Sequence, residues 1–135
     1  MKRLARSLYL LFPFLIPGCA GWPEQANSLD GGSLNEKINA DTGAVVLDVR
    51  TSKEFAEGHL PKSINYDWNG NNFQSQIKTL DKSKPIFVYC LSGGRSAKAA
   101  EDLRSQGFKN VYELKGGITQ WQRANLPMEN GSSTR

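Results

Sequence analysis

The run Ala44-Val45-Val46-Leu47-Asp48-Val49 is short, rich in β-branched residues and apolar on both faces that a strand would present. A strand of that kind has to be covered on both sides, which is the condition of a strand in a parallel sheet. Pro85-Ile86-Phe87-Val88-Tyr89 is the strongest such run and leads straight into Cys90. Val111-Tyr112-Glu113-Leu114 is a third, and Ser63-Ile64-Asn65 a very short fourth.

Helical signals fill the gaps between these strands. Ser33-Leu34-Asn35-Glu36 has capping-box spacing and predicts a helix to about Asn39, with Ser33 as N-cap. Thr51-Ser52-Lys53-Glu54 is a second capping box, opening a short helix that Gly58 ends. From Asn71 to Leu80, Phe73, Ile77 and Leu80 recur on one helical face. Arg95 to Gln106 is Ala-rich and closed by Gly107, and Gly116-Gly117 opens a last helix carrying Ile118 and Trp121. Strands alternating with helices of this length predict an α/β fold, a central parallel sheet with helices on both faces. In such folds, sites lie beyond the carboxyl ends of the strands. Asp48, Asn65, Cys90 and Leu114 all end strands, so they are expected along one edge.

The first residues read separately. Lys2, Arg3 and Arg6 precede an apolar stretch, Leu8 to Ile16, followed by Gly18, Cys19, Ala20 and Gly21. The stretch is far short of the roughly 20 residues that span a bilayer as a helix. Basic start, short apolar centre and small-residue exit are the marks of a secretory signal peptide, assigned to 1–19, and imply an exported, periplasmic protein. Ile16-Pro17-Gly18-Cys19 resembles a bacterial lipobox, which would lipidate Cys19 and attach the chain to a membrane; cleavage after Ala20 is the competing reading. Residues 20–32, polar and Gly-rich, are expected to be a flexible tether, 33–127 the folded domain, and 128–135 a disordered tail.

The full chain has 17 basic and 13 acidic residues, a net +4. Loss of Lys2, Arg3 and Arg6 with the signal leaves 14 against 13, a net +1, which gives no support to a nucleic-acid partner. The chain has two cysteines, and Cys19 is removed or acylated under either cleavage reading. A mature chain with the single thiol Cys90 forms no internal disulfide, and a free thiol in an oxidising compartment implies a use for it.

Cys90 lies between a strand end and a helix start, followed by Leu91-Ser92-Gly93-Gly94-Arg95-Ser96. The glycines permit a tight turn whose successive N–H groups converge on the sulfur as an anion nest. The helix dipole and the Arg95 charge add to them. Each effect favours the thiolate, so the pKa of Cys90 is expected below its free value of about 8.5. The same groups would hold a persulfide anion. Asp48 and Arg50 are expected to form a structural ion pair at the site edge, with Glu54 a candidate third member. His59, the single histidine, sits in a turn and is read as structural. One histidine and one mature thiol do not suggest a metal site. Trp121 is read as packed against the sheet, Trp68 as a candidate for the site entrance, and Lys115 as a candidate attractant for anionic donors.

The sequence resembles the rhodanese superfamily, specifically its single-domain sulfurtransferases, including the exported phage-shock type. The resemblance rests on Leu47-Asp48-Val49-Arg50 with Glu54-Phe55, Gly58-His59-Leu60-Pro61 and Ser63-Ile64-Asn65, on Val88 through Ser96, and on Leu114-Lys115-Gly116-Gly117-Ile118 with Trp121. It implies a sulfane-sulfur transfer through a Cys90 persulfide, from thiosulfate or a related small anionic donor to cyanide or a thiol. Arg95 and the main-chain amides of Leu91, Ser92, Gly93, Gly94 and Ser96 would bind substrate, with Asp48 and Arg50 in support. It implies no cofactor, and a monomer is expected. The superfamily's phosphatases have one more residue between cysteine and arginine, so Arg95, five residues after Cys90, gives the shorter sulfur-type loop. A sulfur-relay or sensing module working with a protein partner is the alternative role.

Overall fold

The computed structural model describes residues 27–40 and 43–131. The segment read as a signal peptide, Cys19, Trp22, residues 20–26 of the tether and residues 132–135 lie outside the described residues.

Among the described residues, five parallel strands form one sheet in the order β1-β5-β4-β2-β3. They are β1 (Ser28–Leu29), β2 (Val45–Asp48), β3 (Ser63–Asn65), β4 (Ile86–Tyr89) and β5 (Val111–Leu114). β4 is central, with Leu47 in register with Val88 on one side and Val88 with Glu113 on the other. Between the strands run α1 (Gly31–Ala40), α2 (Ser52–Glu57), α3 (Phe73–Ile77) and α4 (Gly94–Ser105), and α5 (Gly117–Arg123) follows the last.

The predicted two-sided covering of the sheet is what divides the core. Strand side chains alternate between faces. Ile86, Val88 and then Cys90 pack with Phe73 and Ile77 of α3 and Ala99, Ala100 and Leu103 of α4. Phe87 and Tyr89 pack on the opposite face with Leu34 and Ile38 of α1 and Ile118 and Trp121 of α5. Cys90 thus extends the β4 alternation by one position, and this puts its sulfur on the α4 face. Trp121 is fully buried and donates its indole N–H to the Pro127 carbonyl at 2.9 Å, the packing role expected of it.

Several expectations need correction. β1 and the start of α1 occupy residues 28–32, inside the stretch read as a tether. Ser33 is not the cap of α1. The Asp30 carboxylate accepts from the Ser33 N–H and hydroxyl, both at 2.9 Å, and the Asp30 carbonyl accepts from the Leu34 N–H. Aspartate is as good a cap as serine, and here it starts the helix earlier. The described part of the tail is also tied down. Glu129 makes an antiparallel bridge with His59, and the Gly131 amide donates to the Ala56 carbonyl at 3.0 Å. α3 is five residues, Phe73–Ile77, shorter than the periodicity of 71–80 suggests. Trp68 packs against the α4 face, its indole N–H donating to Asp102 at 2.9 Å with the Lys98 ammonium over its ring, so it braces α4. Among the described residues no helix is long and apolar enough to cross a membrane.

Candidate active site

The strand ends expected at one edge do converge there. Cys90 leaves β4, and its loop turns at Gly93, whose φ of +121° is open to glycine and strained for other residues. That turn carries the Gly93 amide back over the sulfur, N–H to Sγ, at 3.1 Å. α4 then begins at Gly94. Ser96, fully buried in its first turn, places its hydroxyl 3.5 Å from Sγ and donates to the Gly93 carbonyl at 3.1 Å.

Cys90 is 1% exposed, while Leu91, Ser92 and Gly94 of the same loop are exposed. Burial pushes the thiol pKa up. The Ser96 hydroxyl and the amides of Ser96, Gly93 and Ser92 push it down, and the net shift is downward. Together, these hydrogen bonds outweigh desolvation.

Arg95 departs from expectation. Its guanidinium grips Glu54 of α2 with two bonds, Nη1 to Oε2 and Nη2 to Oε1, each 2.9 Å. This pair holds Arg95 protonated. It also pulls the Glu54 carboxyl down to about 2, against a smaller upward push from burial and with help from Thr51. Arg95 therefore does not stand as a free cation beside the sulfur. It ties the start of α4 to α2, whose capping box is formed as predicted by Thr51 and Glu54.

Asp48 and Arg50 form the expected pair, and it is buried: Asp48 is 0% and Arg50 4% exposed. Arg50 Nη2 donates to Asp48 Oδ2 and to the Gly58 carbonyl, both at 2.7 Å, and Nε donates to both carboxylate oxygens at 3.1 Å. Its partner is Asp48; the carboxylate of Glu54 is bonded to Arg95 and Thr51. The guanidinium lies over the Tyr89 ring at 5.7 Å. Tyr89, its hydroxyl pKa raised chiefly by burial, accepts from the Leu60 amide at 3.1 Å. Asn65 donates to the carbonyls of Asp48 and Arg50 at 3.1 and 2.8 Å. These contacts brace the β2 end against β3 and β4 and do not reach the sulfur.

His59 is structural, as read. Its ring stacks on Phe55 at 3.8 Å and 4° between planes, and Nδ1 lies 2.8 Å from the Phe55 carbonyl, which makes Nδ1 the protonated nitrogen. Among the described residues no three His, Cys, Asp or Glu side chains converge as a metal site. Lys115 is exposed and lines a hollow with Asp30 and Gln120.

The model for the rhodanese-like domain matches residues 28–124. The chain belongs to the rhodanese-like family. It is 36% identical over 107 residues to the thiosulfate sulfurtransferase GlpE of Pseudomonas savastanoi pv. phaseolicola, covering 79% of this chain and 89% of that one. It is 41% identical over 96 residues to the tRNA uridine(34) hydroxylase of Pelagibacter ubique, covering 70% of this chain; the chain spans 32% of that protein's length. A rhodanese-related protein from Thermoplasma volcanium has the same fold, with a TM-score of 0.68 and 32% identity over 76% of this chain and 97% of that one. The family match begins at Ser28, where β1 begins, and so includes the strand that the sequence reading missed.

Two features of this rhodanese-like site were not legible in the motifs. Glu54 was visible as a capping-box residue, but its hold on Arg95 spans 41 positions and leaves no local trace. Ser96 was named for its amide, whereas its hydroxyl also faces the sulfur. Its position in the first turn of the helix that follows Cys90 was the available signal.

Proposed function

We propose that this chain is a sulfurtransferase that carries a sulfane sulfur on Cys90. The observation that carries the reading is the placement of a buried Sγ under the Gly93 amide at 3.1 Å, with the Ser96 hydroxyl beside it. Such a cradle favours a monoanionic sulfur whether it is the thiolate or the persulfide.

With thiosulfate as donor, the Cys90 thiolate attacks the outer sulfur. A new S–S bond forms, the bond from that sulfur to the sulfite group breaks, and sulfite leaves with the electron pair. Cys90 is left as a persulfide anion. An acceptor nucleophile, cyanide or a thiolate, then attacks the terminal sulfur, and the Cys90 thiolate departs. The cycle is covalent and ping-pong, and needs no metal or organic cofactor. The loop amides stabilise the departing and arriving anion. In this reading Arg95 acts by fixing the loop, because its guanidinium is paired with Glu54. The first 19 residues serve export to the periplasm, with Cys19 a lipid attachment point.

Steady-state transfer from thiosulfate to cyanide tests the reading. Turnover in the parent protein with none in Cys90→Ser supports it. Absence of turnover with every sulfane donor and acceptor tried overturns it. A second role, sulfur relay to a protein thiol, is favoured by Leu91. It is a large apolar side chain left 47% exposed directly after the nucleophile.

A further inference from the structure

The first turn of α5 meets the Cys90 loop backbone to backbone. The Ile118 amide donates to the Cys90 carbonyl at 2.9 Å. The Thr119 amide donates to the Leu91 carbonyl at 3.2 Å, and the Thr119 hydroxyl donates to the same oxygen at 2.9 Å. Gly117, which opens the helix, sits at φ +62°. A Cβ on it would lie 2.6 Å from the Cys90 carbonyl oxygen and would also run into the Leu91 carbonyl oxygen. No side chain fits between this helix and this loop.

These contacts fix more than position. In a planar trans peptide the C=O and N–H point in opposite directions. The Cys90 carbonyl shares its peptide with the Leu91 amide, and the Leu91 carbonyl shares its peptide with the Ser92 amide. With both oxygens turned to α5, both N–H groups are turned away from it. The Ser92 amide is one of those that lower the Cys90 pKa. A carbonyl that accepts a hydrogen bond also polarises its peptide and strengthens the N–H at the other end. The arrangement serves both partners, since first-turn amides of a helix have no acceptor within it.

We propose that the first turn of α5 is the outer half of the sulfur cradle, with Gly117 and Thr119 as positioning residues that aim the Leu91 and Ser92 amides by anchoring the carbonyls of the same peptides. The role goes beyond helix packing, because the anchored atoms belong to the two peptide groups that follow the nucleophile. It also accounts for a glycine pair at the end of β5, remote in sequence from Cys90. The proposal rests on the reading of Cys90 as the reacting thiol.

The test uses the pH dependence of Cys90 alkylation by iodoacetamide, followed on the Cys90 peptide by mass spectrometry. The charged groups around the loop are Arg95 of α4, Glu54 and Glu57 of α2, and Asp48 and Arg50 at the end of β2, and none of them is altered by the variants. Thr119→Val removes the hydroxyl and keeps the shape. Its alkylation midpoint is expected at higher pH, with a rate at pH 7 lowered about fivefold, the effect of losing one hydrogen bond. Thr119→Ser is expected to restore the parent profile. Gly117→Ala is expected to shift further in the same direction. An unchanged midpoint in Thr119→Val, with its fold intact by circular dichroism, overturns the proposal, and this holds even if Gly117→Ala fails to fold. Alkylation reads the thiol directly. A parent protein that alkylates as expected and moves no sulfur would therefore refute the proposed function and leave this inference standing.

Discussion

Glu54 and Arg95, 41 positions apart in the chain, close a two-pronged ion pair with both contacts at 2.9 Å. Glu54 also caps α2 through Thr51, so one carboxylate both starts a helix and pairs the arginine of the Cys90 loop.

Glu54→Gln separates these roles. The amide keeps the shape but loses the charge and part of the capping box, at a cost of about 1 kcal/mol in unfolding free energy. Arg95 is then unmasked. The second-order rate with an anionic donor such as thiosulfate is expected to rise severalfold at low salt, and the gain to shrink as salt screens it. The pair also makes stability depend on pH in a defined direction. The folded carboxyl titrates at about 2, below its ordinary 4.5. A depressed carboxylate stabilises the fold fully above its unfolded pKa and loses that contribution as the pH falls from about 4.5 toward 2. Urea midpoints of parent and variant are expected to converge across that window. A constant difference would contradict the pairing.

The Ser96 hydroxyl lies 3.5 Å from the Cys90 sulfur. Ser96→Ala removes the hydroxyl that, with the amides, outweighs burial at Cys90. The thiol should titrate at higher pH, and persulfide formation at pH 7 should fall about tenfold, as expected for a hydrogen bond to a charged group. Plateau rates at high pH should approach the parent's. A uniform loss at all pH values would instead indicate collapse of the loop.

The Asp48–Arg50 pair predicts a large asymmetry. Asp48→Asn leaves a guanidinium only 4% exposed without its counter-charge and is expected to cost about 3–5 kcal/mol in denaturant unfolding. Replacing both, as Asp48→Leu with Arg50→Met, is expected to cost less than the single change, because no charge is stranded. A double variant weaker than the single would show that the pair contributes more than mutual compensation.

Leu91 bears on the acceptor. It lines a hollow of about 180 Å³ with Ile118, and the carboxylates of Glu54 and Glu57 edge the same hollow. A protein thiol that docks there would bury Leu91, and a small acceptor would not. Leu91→Ser is expected to slow transfer to a reduced protein dithiol about tenfold, the value of burying a leucine side chain. Transfer to cyanide should change less than twofold. Equal effects on both would remove the case for a docked protein acceptor.

Much of this could be read from residues because the chemistry is local. The β4 run, Cys90 and Gly93-Gly94 are contiguous, so strand, turn and helix start follow from neighbouring residues, and with them the lowered thiol pKa. The Thr51–Glu54 capping box is equally local, and it formed. What escaped was of two kinds. β1 is a two-residue edge strand, too short for any period to register, and it is defined by its pairing with Glu113 and Leu114. Asp30 was hidden by a second good cap, Ser33, three residues on. The others are contacts between distant segments. Arg95 could be read as a free charge only until its partner on α2 was known, and the role of Gly117 depends on a carbonyl 26 positions earlier.

The most direct test of the account is the intact mass of the protein after treatment with thiosulfate. The account predicts a gain of one sulfur atom located on the Cys90 peptide, lost again on adding cyanide, and no gain in Cys90→Ser. An unmodified parent protein, or a sulfur adduct that persists in Cys90→Ser, would contradict it.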